Sequence, residues 1–238
     1  MAHIPRLYLP QRLAPGRLQL NAEQSRRLSA VMRLRTGDEF RLFSGDGREW
    51  CATVTVEGKT ALQCEVAELT RQEPQPARTL EIWCALVRPS RFEWAIEKCV
   101  EAGADVIRPL LADFTARGEG GSRHKQERWH RIAIEAAEQS GRLWMPVVTE
   151  PARFTGLLAR HHGPLVIGDQ HGRNAMEVQR LLPPAGTVAA AIGPEGGFSP
   201  EELAKAKAAG ALLLRLAPHI LRTETAAVAA TAVLRALE

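Results

Sequence analysis

The stretch Ile192-Gly193-Pro194-Glu195-Gly196-Gly197-Phe198-Ser199-Pro200-Glu201-Glu202 follows the apolar run Val188-Ala189-Ala190-Ala191. It stands where a buried strand gives way to a helix, the ligand-binding edge of a parallel sheet. Ser199 fits an N-cap, Pro200 the first helical position and Glu202 the acid of a capping box, with Gly210 as the stop. A tight strand-to-helix connection accounts for Ser-Pro-Glu-Glu. It does not account for Gly193, Gly196 and Gly197 clustered with Glu195 at the strand tip, where side chains would block close approach. The cluster therefore reads as a ligand loop. It contains no G-x-x-x-x-G-K-[ST], no G-x-G-x-x-G and no G-x-S-x-G, which excludes the common nucleotide and hydrolase turns.

Working outward, Leu80 to Val87, Val106 to Leu110, Pro146 to Thr149, Pro164 to Ile167, Val188 to Ile192 and Leu212 to Leu216 read as strands. Between them lie helical patterns. One starts at Ser90 with Phe92, Ile96, Cys99 and Val100 on one face and Gly103 as its stop. Another spans Gln126 to Ser140 with Trp129, Ile132, Ala133, Ala136 and Ala137 in a stripe. The alternation predicts an α/β domain with a mostly parallel sheet. A second strand end, Leu216-Ala217-Pro218-His219-Ile220-Leu221-Arg222-Thr223-Glu224-Thr225, leads into the alanine-rich, uncharged Ala226 to Leu234. Thr223 is a candidate cap for that helix. The small residues predict burial, inside the subunit or at a dimer interface. Arg222 and Glu224 read either as a structural ion pair or as site residues.

Residues 1 to about 70 form a different, β-rich region. Glu39 to Phe43, Trp50 to Val56 and Ala61 to Val66 alternate as strands, with turns at Ser44 to Gly47 and at Gly58-Lys59. A helix over Asn21 to Arg33, capped by Asn21, precedes them. Arg71-Gln72-Glu73-Pro74-Gln75-Pro76-Ala77 has linker composition, which predicts domains at 1–71 and 79–238 joined by 72–78.

Composition narrows the class. The 238 residues are 45% hydrophobic and 24% charged. No apolar run reaches the roughly 18–20 residues of a membrane span, and Met1 to Arg6 has no signal-peptide core. A cytoplasmic protein without membrane attachment is expected. Cys51, Cys64, Cys84 and Cys99 form no C-x-x-C pair, so they read as core residues rather than a metal site. A net charge of +4 and a pI of about 9.1, carried mainly by arginine, permit a nucleic-acid partner. Gly118-Glu119-Gly120-Gly121 among Arg117, Arg123, His124 and Lys125 reads as a mobile basic loop.

The two strand-end segments together, Ile192 to Gly197 and Leu221-Arg222-Thr223-Glu224-Thr225-Ala226, closely resemble the ribosomal RNA small subunit methyltransferase E family. Val31-Met32-Arg33 leading to Gly37, and Leu42-Phe43-Ser44-Gly45, are similar to that family's N-terminal PUA-like domain. Phe92-Glu93-Trp94 with Glu97-Lys98 and Glu101-Ala102-Gly103 resembles its first catalytic-domain helix. Arg128-Trp129, Ile132-Ala133 and Ala136 to Arg142 resemble the next. Arg27, Arg91-Phe92 and Asp113-Phe114-Thr115 depart from the pattern.

The resemblance implies a SPOUT catalytic domain with a C-terminal trefoil knot, a small N-terminal β-barrel, S-adenosylmethionine as methyl donor and a homodimer. The implied reaction is methylation of uridine N3 in 16S ribosomal RNA of the small ribosomal subunit. It further implies a cofactor held among three strand-end loops. Ile167 and Gly168, beside Asp169, belong to the first. Ile192, Gly193, Pro194, Gly196 and Gly197 belong to the second. Leu216, Pro218 and Leu221, continuing to Thr223, Thr225 and Ala226, form the third. His161, His162 and His171 read as surface residues.

Methylating an imide nitrogen requires loss of its proton and stabilisation of charge on the uracil oxygens. Arg222 is the candidate for the second task, Glu195 or Glu224 for the first. Arg6, Arg33, Arg35, Arg91 and Lys98 are candidates for RNA phosphate contacts. A non-catalytic ribosome-assembly protein, and a SPOUT enzyme acting on transfer RNA or a ribose hydroxyl, are the competing expectations.

Overall fold

The computed structural model describes residues 4–58, 60–115 and 123–237. The glycine-rich basic stretch Gly118 to Gly121 lies outside the described residues. The chain divides into two compact units, Met1–Gln75 with Ala137–Met145, and Pro76–Ala136 with Pro146–Glu238.

In the first unit the chain runs β1 (Arg6–Tyr8), β2 (Gly16–Gln19), α1 (Ala22–Arg26), β3 (Glu39–Phe43), β4 (Arg48–Val56) and β5 (Gln63–Gln72). These strands form one five-stranded sheet in the order β1-β3-β4-β5-β2. β1 pairs with β3 in parallel and the other pairs are antiparallel. Alternate residues Phe40, Leu42, Ala52 and Val54 turn inward onto Leu7, Leu28 and Leu62. The turn after β3 requires glycine, because Gly45 and Gly47 both have positive φ.

Asn21 caps α1 through a capping box with Gln24. The helix expected to reach Arg33 is α-helical only to Arg26, and a π-helical turn follows over Arg27–Val31. The Ser25 and Ser29 hydroxyls explain the break. Ser25 Oγ donates to Leu20 O and accepts from Leu62 N, while Ser29 Oγ donates to Ser25 O. Such side-chain bonds compete with the helical ladder. The turn ends at Arg33, which takes a left-handed φ of 59°.

β5 also continues through Arg71 and Gln72, paired with Glu49 and Arg48, where the polar composition predicts the start of a linker. Its outer half is solvent-exposed on both faces, so strand pairing there needs no apolar pattern. Residues Ala137–Met145, assigned by the linear reading to the second domain, belong to the first unit. Arg6 is a reason: its Nη1 donates to Ala137 O and Glu138 O, and its Nη2 to Arg142 O.

The second unit runs β6 (Arg78–Ala85), α2 (Pro89–Glu101), β7 (Val106–Leu111), α3 (Arg123–Ser140, whose last residues join the first unit), β8 (Val147–Val148) and β9 (Ala152–Arg153). It continues with α4 (Phe154–Arg160), β10 (Leu165–Arg173), α5 (Ala175–Gln179), β11 (Gly186–Ile192), α6 (Pro200–Ala208), β12 (Leu212–Leu214) and α7 (Thr223–Ala236). The sheet order is β12-β10-β11-β6-β7-β8, with β9 also on β7, and every pairing is parallel. Parallel strands covered on both faces carry continuous apolar runs, and Val188 to Ile192 is buried throughout.

β10 and β12 approach closely at Gly172, where an added Cβ would lie 2.6 Å from the backbone of Leu213 and Leu214. α2 buries Phe92, Ala95, Ile96, Cys99 and Val100, and Phe92 packs on Trp129 with ring centroids 4.9 Å apart. α7 buries Ala227, Ala230, Thr231 and Leu234 against α2, β6 and β11.

Among the described residues no helix is long and apolar enough to cross a membrane. No cluster of three His, Cys, Asp or Glu side chains suited to a metal occurs among them either. His161 is not the plain surface residue the sequence suggests. Its ring meets Trp83 edge-on at 5.2 Å, and its Nε2 lies 3.1 Å from Pro164 O.

Candidate functional site

The middle of β10, at Gly168 to Gln170, and the C-terminal ends of β11 and β12 open onto a cavity of about 590 Å³. At the end of β11, Gly197 N donates to Pro194 O, and Gly197 has a φ of 73° that favours glycine. The loop then enters α6 through the expected cap: Ser199 Oγ accepts from Glu202 N, and Glu202 Oε2 accepts from Ser199 N. Ser199 Oγ also donates to Asp113 Oδ2 at 2.6 Å, and Asp113 N donates to Glu202 Oε1 at 3.1 Å. The turn after β7 is thereby fastened to the cap of α6.

The second strand-end loop meets the first through Thr223. Its hydroxyl donates to Gly193 O at 2.9 Å. Thr223 is therefore the first helical residue of α7 rather than its cap; Arg222 occupies the cap position and makes no side-chain cap bond. The exposed Arg222 lines the cavity. The ion pair considered between Arg222 and Glu224 does not form. Glu224 is buried and its Oε1 lies 3.6 Å from Nε of Arg91, whose Nη1 contacts Glu195 Oε1 at 2.7 Å. The second Glu224 oxygen is buried without a hydrogen-bond partner.

Most of the expected ligand residues line this one cavity. From β10 and β11 it takes Gly168, Ile192, Gly193, Pro194, Glu195, Gly196 and Gly197. From the stretch after β12 it takes Leu216, Leu221, Arg222, Thr223 and Ala226. Four expected site residues do not line it. Ile167 is fully buried in the core, because its strand alternation turns it away from the opening. Pro218 and Thr225 are exposed outside it, and Glu224 is buried and held by Arg91. Asp169, Ala217, His219 and Ile220, within the expected loops, line it as well, and the sequence reading missed Gln170, Phe198, Leu203 and Leu214. Leu203 follows Ser199 at helical spacing, the one signal that would have placed it beside the loop.

Most of the lining residues are glycine or apolar, with Asp169, Gln170, Glu195, His219, Arg222 and Thr223 as the polar ones. A Cβ at Gly168 would lie 2.8 Å from Ile192 Cδ1, and one at Gly193 would lie 3.2 Å from both Gly197 C and the Phe198 ring. A cavity of this size with few polar side chains suits an elongated small molecule held largely by main-chain groups.

The basic residues separate. Arg6 is buried, pairs with Glu49 at 2.7 Å, and stacks 4.6 Å over Phe43. Since its donors are also spent on Ala137, Glu138 and Arg142, the phosphate role expected for Arg6 is overturned. Arg27, one of the departures, pairs with Glu138 in the same unit. Arg33 is exposed, and Arg35 is exposed beside Glu57 at 3.3 Å. Lys98 contacts Glu97 and Glu101 at 2.8 Å each.

Two family profiles match the chain. One described as RNA methyltransferase domain covers residues 73–235, and one described as RNA methyltransferase PUA domain covers residues 21–67. The chain is 34% identical over 96% of its length to a Synechocystis protein named Ribosomal RNA small subunit methyltransferase E, covering 76% of that protein. A Bacillus subtilis protein of the same name is 30% identical, with 87% of this chain and 85% of the relative covered. The crystal structure of a Ribosomal RNA small subunit methyltransferase E from Neisseria gonorrhoeae bound to S-adenosyl methionine superposes with a TM-score of 0.87. It is 29% identical and is matched over 99% of this chain and 98% of its own.

Proposed function

The chain belongs to the ribosomal RNA small subunit methyltransferase E family, and from that premise we propose that it methylates uridine N3 in 16S ribosomal RNA with S-adenosylmethionine as donor. The observation that carries the reading is the single cavity walled by Gly193 to Gly197 and by the Leu216 to Ala226 segment, with Arg222 on it. The cavity fits the cofactor: its volume of about 590 Å³ is that of a site for a molecule of this class, and Gly168 and Gly193 leave the backbone bare. When bound, S-adenosylmethionine supplies an electrophilic methyl on a sulfonium.

The chain's own residues supply alignment, a proton acceptor and charge stabilisation. Glu195 is on the cavity, and although its Oε1 is paired with Arg91 at 2.7 Å, its side chain is 70% exposed and can meet an incoming base. Glu224 is buried behind Arg91 and is better suited to holding that arginine than to reaching a substrate. We therefore assign proton acceptance to Glu195, directly or through a water. Arg222 orients the uracil and stabilises the negative charge that develops on its oxygens. The exposed Arg33 and Arg35, with Arg91 and Lys98, are the phosphate-contact candidates. The working form is a cytoplasmic homodimer acting on the small ribosomal subunit.

The test is methyl transfer from labelled S-adenosylmethionine to small ribosomal subunits that lack the modification, followed by nucleoside analysis. Label in 3-methyluridine is expected. Label in a different nucleoside keeps the cofactor and replaces the substrate. Absence of both transfer and cofactor binding makes the chain a ribosome-binding protein without this chemistry.

A further inference from the structure

A phenylalanine left in water is ordinary on any surface, but Phe114 differs from such residues in three respects. First, it stands beside the cavity without lining it: its Cβ and ring lie 3.2 and 3.6 Å from where a Cβ on Gly196 would be, and Gly196 lines the cavity. Gly196 does not have a positive φ, and the nearest atoms a side chain there would meet all belong to Phe114. Second, the turn that carries Phe114 is fixed. Thr115 Oγ1 accepts from Ala112 N at 2.9 Å, Thr115 N donates to Ala112 O at 3.0 Å, and Asp113 is tied to Ser199 and Glu202 on either side. Third, the residue is 54% exposed in spite of that rigid seat. The loop it abuts carries Glu195, whose Oε1 is paired with Arg91 at 2.7 Å, and the exposed Arg222 lines the cavity behind that loop.

We propose that Phe114 is a stacking platform for an unpaired nucleobase of the RNA substrate, presented at the mouth of the cavity. An exposed aromatic face on a pre-organised turn, beside a cavity lined by Arg222, matches how proteins hold single-stranded bases, whose π-face stacks on an aromatic ring. The base is thereby held while Arg222 and Glu195 act on the reacting edge. Phe114 is a positioning residue: it backs the Gly196 loop without lining the cofactor cavity itself. The inference rests on the RNA methyl-transfer reading.

The test compares the wild-type protein with Phe114→Ala, Phe114→Leu and Phe114→Trp. Transfer to unmodified small subunits, S-adenosylmethionine affinity and oligomeric state are measured on each. Phe114→Ala is expected to raise the KM for subunits by about 5- to 150-fold, the range of one lost base stack. Phe114→Leu is expected to recover little and Phe114→Trp most of the loss, with cofactor affinity within about twofold of wild type throughout. Full recovery by Phe114→Leu would show that only apolar bulk is needed and overturns the proposal. An unchanged KM in Phe114→Ala, an equal loss of cofactor affinity, or a shift in oligomeric state instead of in KM each overturns it as well. Should the wild-type protein transfer no methyl group, the methyl-transfer reading fails on its own. Filter binding of unmodified 16S ribosomal RNA then decides for stacking if Phe114→Ala binds more weakly and against it if the two bind alike.

Discussion

Arg222 and Arg6 show how little a residue's type says about its work. Both are arginines, yet Arg222 is exposed on the cavity while Arg6 is enclosed by Glu49, Phe43 and the carbonyls of Ala137, Glu138 and Arg142. Their alanine variants should fail differently. Arg222→Ala removes a charge donor from the reacting base, so turnover should fall by about 10²- to 10³-fold while calorimetric titration finds cofactor binding intact. Arg6→Ala leaves the Glu49 carboxylate buried without its partner, and should cost about 3–5 kcal/mol of stability in denaturant unfolding. Near-normal turnover in the first case, or an unchanged midpoint in the second, would remove the assigned role.

At the scale of elements, the β6–β7 pair carries a charge across the sheet. Glu81 on β6 accepts from Arg108 Nε and Nη2 on β7 at 2.7 and 2.8 Å, and from Trp83 Nε1 at 3.0 Å. Burial alone pushes its carboxyl up, but the Arg108 and Trp83 bonds and the Arg108 charge outweigh burial and hold it below the ordinary 4.5. A carboxyl lowered in the folded state stabilises the fold in full above its unfolded value and loses that contribution as pH falls through the folded one. Thermal stability of the second unit should therefore drop below about pH 4.5, and Glu81→Gln should flatten that acid limb while lowering stability near neutrality. An acid limb identical in the variant and the parent would place the sensitivity elsewhere. The α6 cap works at the same scale: Ser199 and Glu202 close the helix and also hold the turn bearing Phe114.

Across the whole molecule the four cysteines are free and buried, two in each unit. Burial pushes the Cys64 thiol up to about 11 and Cys99 to about 12, and drives Cys84 well above the ordinary value, with Cys99 and Glu224 adding to it. Protonated, enclosed thiols do not attack electrophiles. Alkylation near pH 8 followed by mass spectrometry should find Cys64, Cys84 and Cys99 unmodified in the native protein and labelled once denaturant opens the unit that holds each. Rapid labelling of native Cys84 would contradict the packing around β6.

The sequence alone determined what depends on neighbours along the chain. The apolar runs of the parallel strands, the Asn21 and Ser199 caps, and the glycine cluster at the end of β11 were all legible. Their causes are backbone conformation and periodicity, which act over a few residues. Most of the cavity wall was legible through the resemblance of the Ile192 to Gly197 and Leu221 to Ala226 segments to a known family, and parallel topology is why those strand ends meet at one edge. Only the tertiary structure decided relations between distant segments. It moved Ala137–Met145 into the first unit, consumed Arg6 in holding it there, and gave Glu224 to Arg91 rather than to Arg222. It also ended the α-helix at Arg26 through the hydroxyl of Ser25, which is bound to Leu62. No periodicity encodes which of several arginines meets a given carboxylate. That choice is made by burial and geometry after the chain has folded, since a charge can be enclosed only where its partners have already been brought together.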